Sequence, residues 1–132
     1  MGNRIRSQPT RYETVAVTVL IVDDHPSFRA SARTLLEAEG YEVIGEAENG
    51  ETAVDAVQEL HPDLVLLDVQ LPGIDGFHVA AQLRRLEDPP IVILTSSRDG
   101  ADYGPCIGMC GARGFVPKAD LSGAAIAAFL VA

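Results

Sequence analysis

The chain has 132 residues, 47% of them hydrophobic, and a formal net charge of −9. That length suits one domain with a real core, and so apolar a composition excludes a disordered chain. The acidity argues against nucleic acid or an anionic membrane as a direct partner, since phosphates are bound by Lys and Arg. Two cysteines, Cys106 and Cys110, are too few for a disulfide framework.

Residues 1–16 are polar, carry Pro9 and show no period, and they read as a flexible arm ahead of a domain over 17–132. The arm holds Arg4, Arg6 and Arg11 against Glu13, so the acidity belongs to the domain. No secretory leader pattern opens the chain. The longest apolar stretches, 15–22 and 124–132, fall short of the about 20 residues a membrane span needs. A soluble, cytoplasmic protein is expected.

Val19–Val22 is a β-branched run fit for a strand buried on both faces, and it ends in Asp23-Asp24. Pro26 suits a helix's first turn; Phe28, Ala32, Leu35 and Leu36 share one helical face, and Gly40 can stop it. Tyr41–Ala47 predicts a more polar strand, and Glu51–Leu60 a helix ended by His61-Pro62. Leu64–Leu67 is a second fully apolar strand, again ending in a carboxylate, Asp68. The loop LPGIDG (71–76) leads to a helix with Val79, Leu83 and Leu86 inward, and Pro89-Pro90 precedes the strand Ile91–Leu94. In 99–113, Gly104, Pro105, Gly108 and Gly111 each weaken a helix, which predicts a short, irregular or mobile one. A strand Gly114–Val116 and an apolar stretch from Leu121 complete five βα units.

Strands alternating with helices predict an α/β fold, a doubly wound (βα)5 three-layer sandwich around a parallel sheet. Pro117 and the charged alternation of Tyr41–Ala47 mark edge strands. In such a sheet ligands bind at the carboxyl ends of the strands. Those ends carry Asp23-Asp24, Asp68, Thr95 and Lys118, the last being the only lysine in the chain. Crowded carboxylates resist ionisation unless a cation compensates, and hard oxygen ligands select Mg2+. A carboxylate nucleophile, a metal, a hydroxyl and a compact cation together suit phosphoryl transfer to Asp68.

"LIVDDH", "LVLLDVQLPGIDG", "IVILTSS" and "GFVPKAD", in this order and spacing, resemble the receiver domain of bacterial two-component response regulators, from about Thr18 to Ala132. "GARGFVPKADL" resembles the NarL/LuxR-type subfamily, whose members often carry DNA-binding domains. The resemblance implies a flavodoxin-like sheet of order 2-1-3-4-5 and a phosphorylation-dependent switch. In it Asp68 accepts phosphate from a sensor histidine kinase. Mg2+ is held by Asp24, by Asp23 partly through water, by Asp68 and by the backbone carbonyl of Gln70. Thr95 hydrogen-bonds the phosphoryl group, Lys118 pairs with it, and Phe115 moves with Thr95 to remodel the signalling face. Such a domain catalyses only its own phosphorylation and dephosphorylation and turns over no external metabolite.

Phe115 stands where Tyr is commoner in the family, so a switch here works by packing, without a phenol. The stretch "AAIAAFLVA" has no polar face; a helix apolar all round is normally buried, which predicts a homodimer or partner contact there. Cys106 and Cys110 read as ordinary core or helix cysteines, and His25 as a cap or a rim residue of the site. Three other functions fit less well. A haloacid-dehalogenase-like phosphohydrolase needs a DxDx(T/V) loop where this chain has "DDH". A flavodoxin-type FMN carrier needs a Ser/Thr/Gly-rich loop there. A degenerate receiver, acting only as a binding or dimerisation module, would not need the full Asp/Asp/Asp/Thr/Lys set.

Overall fold

A computed structural model of the chain describes residues 16–98 and 103–130. The expected N-terminal arm, apart from Ala16, lies outside the described residues, as do 99–102 and the last two positions. Five parallel strands alternate with helices: β1 Thr18–Val22, α1 Pro26–Ala38, β2 Glu42–Ala47, α2 Gly50–Leu60, β3 Leu64–Asp68, α3 Gly76–Arg84, β4 Ile91–Ser96, α4 Cys106–Met109, β5 Gly114–Pro117 and α5 Gly123–Leu130. The sheet order is β2-β1-β3-β4-β5, as the resemblance implies.

The apolar strands are apolar because both their faces are covered. Along β1, Val19 and Ile21 join Ala32, Leu36 and Ile126 on one side, while Leu20 and Val22 join Val57, Val79 and Leu83 on the other. The same alternation splits Leu64 and Leu66 from Val65 and Leu67 on β3, and Ile93 from Val92 and Leu94 on β4. Thus α1 and α5 cover one face, and α2 and α3 the other. The two strands with polar or Pro signals, β2 and β5, are the edges of the sheet. Pro117, which lacks an N–H, is tolerated at the end of β5 opposite Ser96.

Local stop and start signals act where the sequence places them. Pro26 is the first residue of α1, and Gly40 just beyond it takes φ +96°. Asn49 caps α2 by accepting from the Thr52 N–H at 2.9 Å, and His61 ends it in the left-handed region at φ 52°. Asp75 caps α3 in the same way, accepting from the His78 N–H at 3.0 Å.

Within its described residues, 103–113, the weakened segment keeps a single helical turn, α4, of four residues. Gly104 and Gly111 bracket it at φ +58° and +89°, a conformation that glycine adopts without penalty. Cys106 is exposed and Cys110 buried, the latter donating from Sγ to the Ile107 carbonyl. On α5, Gly123 and Ile126 are buried, whereas Ala124, Ala127 and Ala128 face outward. Among the described residues no helix is long and apolar enough to cross a membrane.

Candidate functional site

The direction in which successive strands are added to the sheet reverses between β1 and β3. From β1 the path leads outward to β2, then returns to the other side of β1 for β3. The crevice at that switch point lies between the carboxyl ends of β1 and β3, where Asp23 and Asp68 stand. Parallel register sets Thr95 beside Asp68 on the next strand. Lys118 follows the last residue of β5 and opens a short 3-10 turn, Lys118–Asp120.

The structure brings Asp23, Asp24, Asp68, Thr95 and Lys118 to this one edge. Asp68 is 2% exposed, and Asp23 and Thr95 are fully buried. Lys118 Nζ lies 2.7 Å from Asp23 Oδ2 and 3.4 Å from Asp68 Oδ2, so one ammonium serves two carboxylates. The shorter contact is an off-axis ion pair, and Asp23 Oδ2 has no aligned hydrogen bond; Asp24 Oδ1 and Thr95 Oγ1 lack one too. Buried oxygens left without donors fit a cation better than a closed polar network. Asp23, Asp24, His25 and Asp68 each offer one ligand atom, all within 4.8 Å of one another. The donor set is rich in carboxylate oxygen, as Mg2+ requires.

Neighbouring residues respond differently to this edge. Burial alone would raise the Asp23 carboxyl, but the Lys118 ammonium and the N–H of His25 outweigh it and hold the group below its ordinary value. Asp68 goes the other way. Burial pushes it up to about 6, against the Gln70 N–H that donates to Oδ1 at 3.1 Å, and the Asp23 charge adds to the rise. A carboxylate near 6 stays ionised at neutral pH and is more basic than an exposed one.

His25 occupies the position before α1 without capping it through its side chain. Its Nδ1 sits 3.1 Å from both Asp23 Oδ1 and Asp24 Oδ1, which makes it a rim residue. Gln70, two residues past Asp68, is exposed. Phe115 packs partly buried against the α2–α3 side of the core, 5.8 Å from the ring of Tyr103.

Three contributors escape a reading of the sequence. Arg29 donates from its guanidinium to the Asp23 carbonyl at 2.6 Å and from Nε to Glu46 Oε1 at 2.9 Å, tying the acidic turn to β2. Tyr103 shares a 2.7 Å hydroxyl hydrogen bond with buried Ser96, next to Thr95, and stacks edge-on against Phe77. Phe28, read only as a helix-face residue, lies beneath Lys118 with Nζ 4.4 Å from its ring centroid. No sequence signal marks Arg29 or Tyr103, whose partners come from other elements, and the helical period that places Phe28 on α1 does not reveal its contact with Lys118.

The family model "Response regulator receiver domain" matches residues 19–126. The chain is 36% identical over 104 residues to the DNA-binding transcriptional activator EvgA of Escherichia coli, covering 79% of this chain and 51% of that protein. It is 43% identical over 101 residues to BvgA of Bordetella pertussis, a transcription regulator of virulence factors, covering 76% and 48%. The chain therefore spans about half the length of these curated relatives. EvgA's DNA-binding description leaves the expectation of no nucleic-acid partner, drawn from charge, without support. Among solved structures, the signal receiver domain of NarL from Mycobacterium tuberculosis superposes with a TM-score of 0.77 at 34% identity, covering 89% of this chain and 98% of that one. A LuxR-family two-component response regulator from Aurantimonas gives 0.79 at 28% identity, covering 88% and 86%. With most of its length matched and its acidic crevice at the sheet's switch point, the chain belongs to the receiver-domain family of two-component response regulators.

Proposed function

We propose that this domain is a phosphorylation-dependent switch whose acceptor is Asp68. The observation that carries the reading is a nearly buried carboxylate raised to about 6, facing a lysine ammonium at 3.4 Å and flanked by two further carboxylates. An Asp68 oxygen attacks the phosphorus of a phosphohistidine on a sensor kinase. The P–O bond forms as the P–N bond breaks, and the electron pair leaves on the imidazole nitrogen. Little covalent help is needed in such a step, and placement and charge do most of the catalysis.

Asp23, Asp24, Asp68 and the Gln70 carbonyl would hold Mg2+, which when bound offsets charge on the phosphoryl oxygens. Lys118 pairs with the phosphoryl group, and the unpartnered Thr95 hydroxyl donates to it. Phe115, on β5 and packed on Tyr103, carries the change from β5 toward α4. The domain turns over no external substrate.

Incubation with acetyl phosphate and Mg2+, followed by phosphate-affinity electrophoresis, tests this reading. An acid-stable, base-labile shifted band is expected, absent in Asp68→Asn and in EDTA. No shift from folded, Mg2+-binding protein would replace the switch with a phosphorylation-independent binding module.

A further inference from the structure

We propose that Phe28 is a positioning residue that holds the Lys118 ammonium over the two buried carboxylates through the face of its ring. The inference rests on the phosphoryl-transfer reading above for its functional consequence, but not for its geometry.

Lys118 starts from the edge of the sheet, whereas Asp23 directly follows β1, three strands away in the order β1-β3-β4-β5. Its flexible stem must lie across the strand ends to bring Nζ within 2.7 Å of Asp23 and 3.4 Å of Asp68. A strongly hydrated ammonium on such a stem tends to swing into water, yet the Lys118 side chain is only 17% exposed. Beside the two carboxylates, Phe28 adds a third contact that keeps it there. Nζ stands 4.4 Å from the ring centroid, inside the range of a cation–π contact.

The placement of the ring follows from the start of α1. Pro26 is the first helical residue, so Phe28 falls in the first turn, where side chains lean back toward the helix N-terminus and the acidic turn. The rest of the ring is anchored against the core on the α1–α5 side. Chemistry also favours a phenyl group over a polar partner. Another carboxylate would add negative charge to a site that already has three. The ring face attracts the cation without taking a hydrogen bond, leaving the ammonium's N–H groups for carboxylate and phosphoryl oxygens.

Because Lys118 is the only lysine, its side-chain methylene signals are the only lysine signals in a carbon–proton correlation spectrum. In the wild type they are expected to be shifted upfield by the ring current. Phe28→Leu should return them to ordinary lysine positions, and Phe28→Tyr should retain the shift. Unshifted signals in the folded wild type would overturn the placement. For function, Phe28 is replaced site-specifically by mono-, di- and trifluorophenylalanine, which weaken the ring's pull on a cation with little change of shape. The rate of phosphorylation by acetyl phosphate at saturating Mg2+ is expected to fall stepwise along the series, by about three- to tenfold in total. A flat series, with the wild type phosphorylated normally, would leave Phe28 a packing residue and overturn the positioning role. A wild type that is never phosphorylated would instead sink the phosphoryl-transfer reading, and the Lys118 shift alone would then decide the placement.

Discussion

Asp68→Asn is expected to make the metal-free protein more stable than the wild type at about pH 7.5, by about 2–3 kcal/mol, or roughly 5–10 °C in Tm. The cause is the rise of the Asp68 carboxyl from 3.8 to about 6, led by burial. The folded state holds this proton more tightly than the unfolded chain does. The group therefore costs nothing below about pH 4, and its penalty grows as pH rises toward 6 and is complete above it. Asn resembles the neutral acid, keeps an oxygen for the Gln70 N–H and never ionises. The advantage of the variant should thus shrink to nothing as pH falls from about 6 to about 4.

Asp23 has the opposite sign. Its lowered value contributes stability above 3.8 that is lost only at lower pH, so the two windows separate. Mg2+ should stabilise the wild type more than the variant and reverse the gap, since a cation favours the ionised form. Thermal unfolding in EDTA across this pH range checks the idea. A difference that does not vary with pH would mean that ionisation of buried Asp68 is not what the fold bears.

The second large effect is expected at Gly76, the first residue of α3. A Cβ there would lie 2.3 Å from the Asp68 carbonyl oxygen and 2.7 Å from the Val69 Cα. Both are main-chain atoms, held further by the Gly76 N–H donating to the Val69 carbonyl at 2.7 Å. No side chain can rotate away, so Gly76→Ala must push α3 off the end of β3 and displace Asp68 with it. A loss of about 2–4 kcal/mol is expected. A fall in acetyl phosphate reactivity larger than global unfolding explains should accompany it. Gly73→Ala in the same loop is the control. It has φ +80° and open space around its Cβ, so only left-handed strain applies, about 1–2 kcal/mol. Urea titration of both variants decides the matter, and a Gly76→Ala loss no larger than that of Gly73→Ala would refute the steric argument.

Much of this protein is written locally. Val19–Val22, Leu64–Leu67 and Ile91–Leu94 are strands buried on both faces because only such strands need unbroken apolar runs, and that requirement is visible residue by residue. Pro26, Gly40 and His61 punctuate helices through their own backbone limits. The acidic ends of two strands, with Thr95 and Lys118, name the candidate site because a parallel sheet gathers its strand ends on one edge.

Tertiary packing decided the rest. Adjacent Asp23 and Asp24 look equivalent in the chain, yet their side chains are 0% and 36% exposed, since successive residues at a strand end point to opposite sides. The truncation of α4 to four residues could be argued from its glycines, but the stacking of Tyr103 on Phe77 and Phe115 could not. Nor could the grip of Arg29 on the Asp23 carbonyl, the ring of Phe28 under Lys118, or the seat of Gly76 on the Asp68 backbone. Periodicity, caps and turn chemistry act through a few neighbouring residues and survive in a one-dimensional string. These contacts join elements up to 90 residues apart, Phe28 to Lys118, and exist only once the twist of the sheet and the docking of its helices have set the distances.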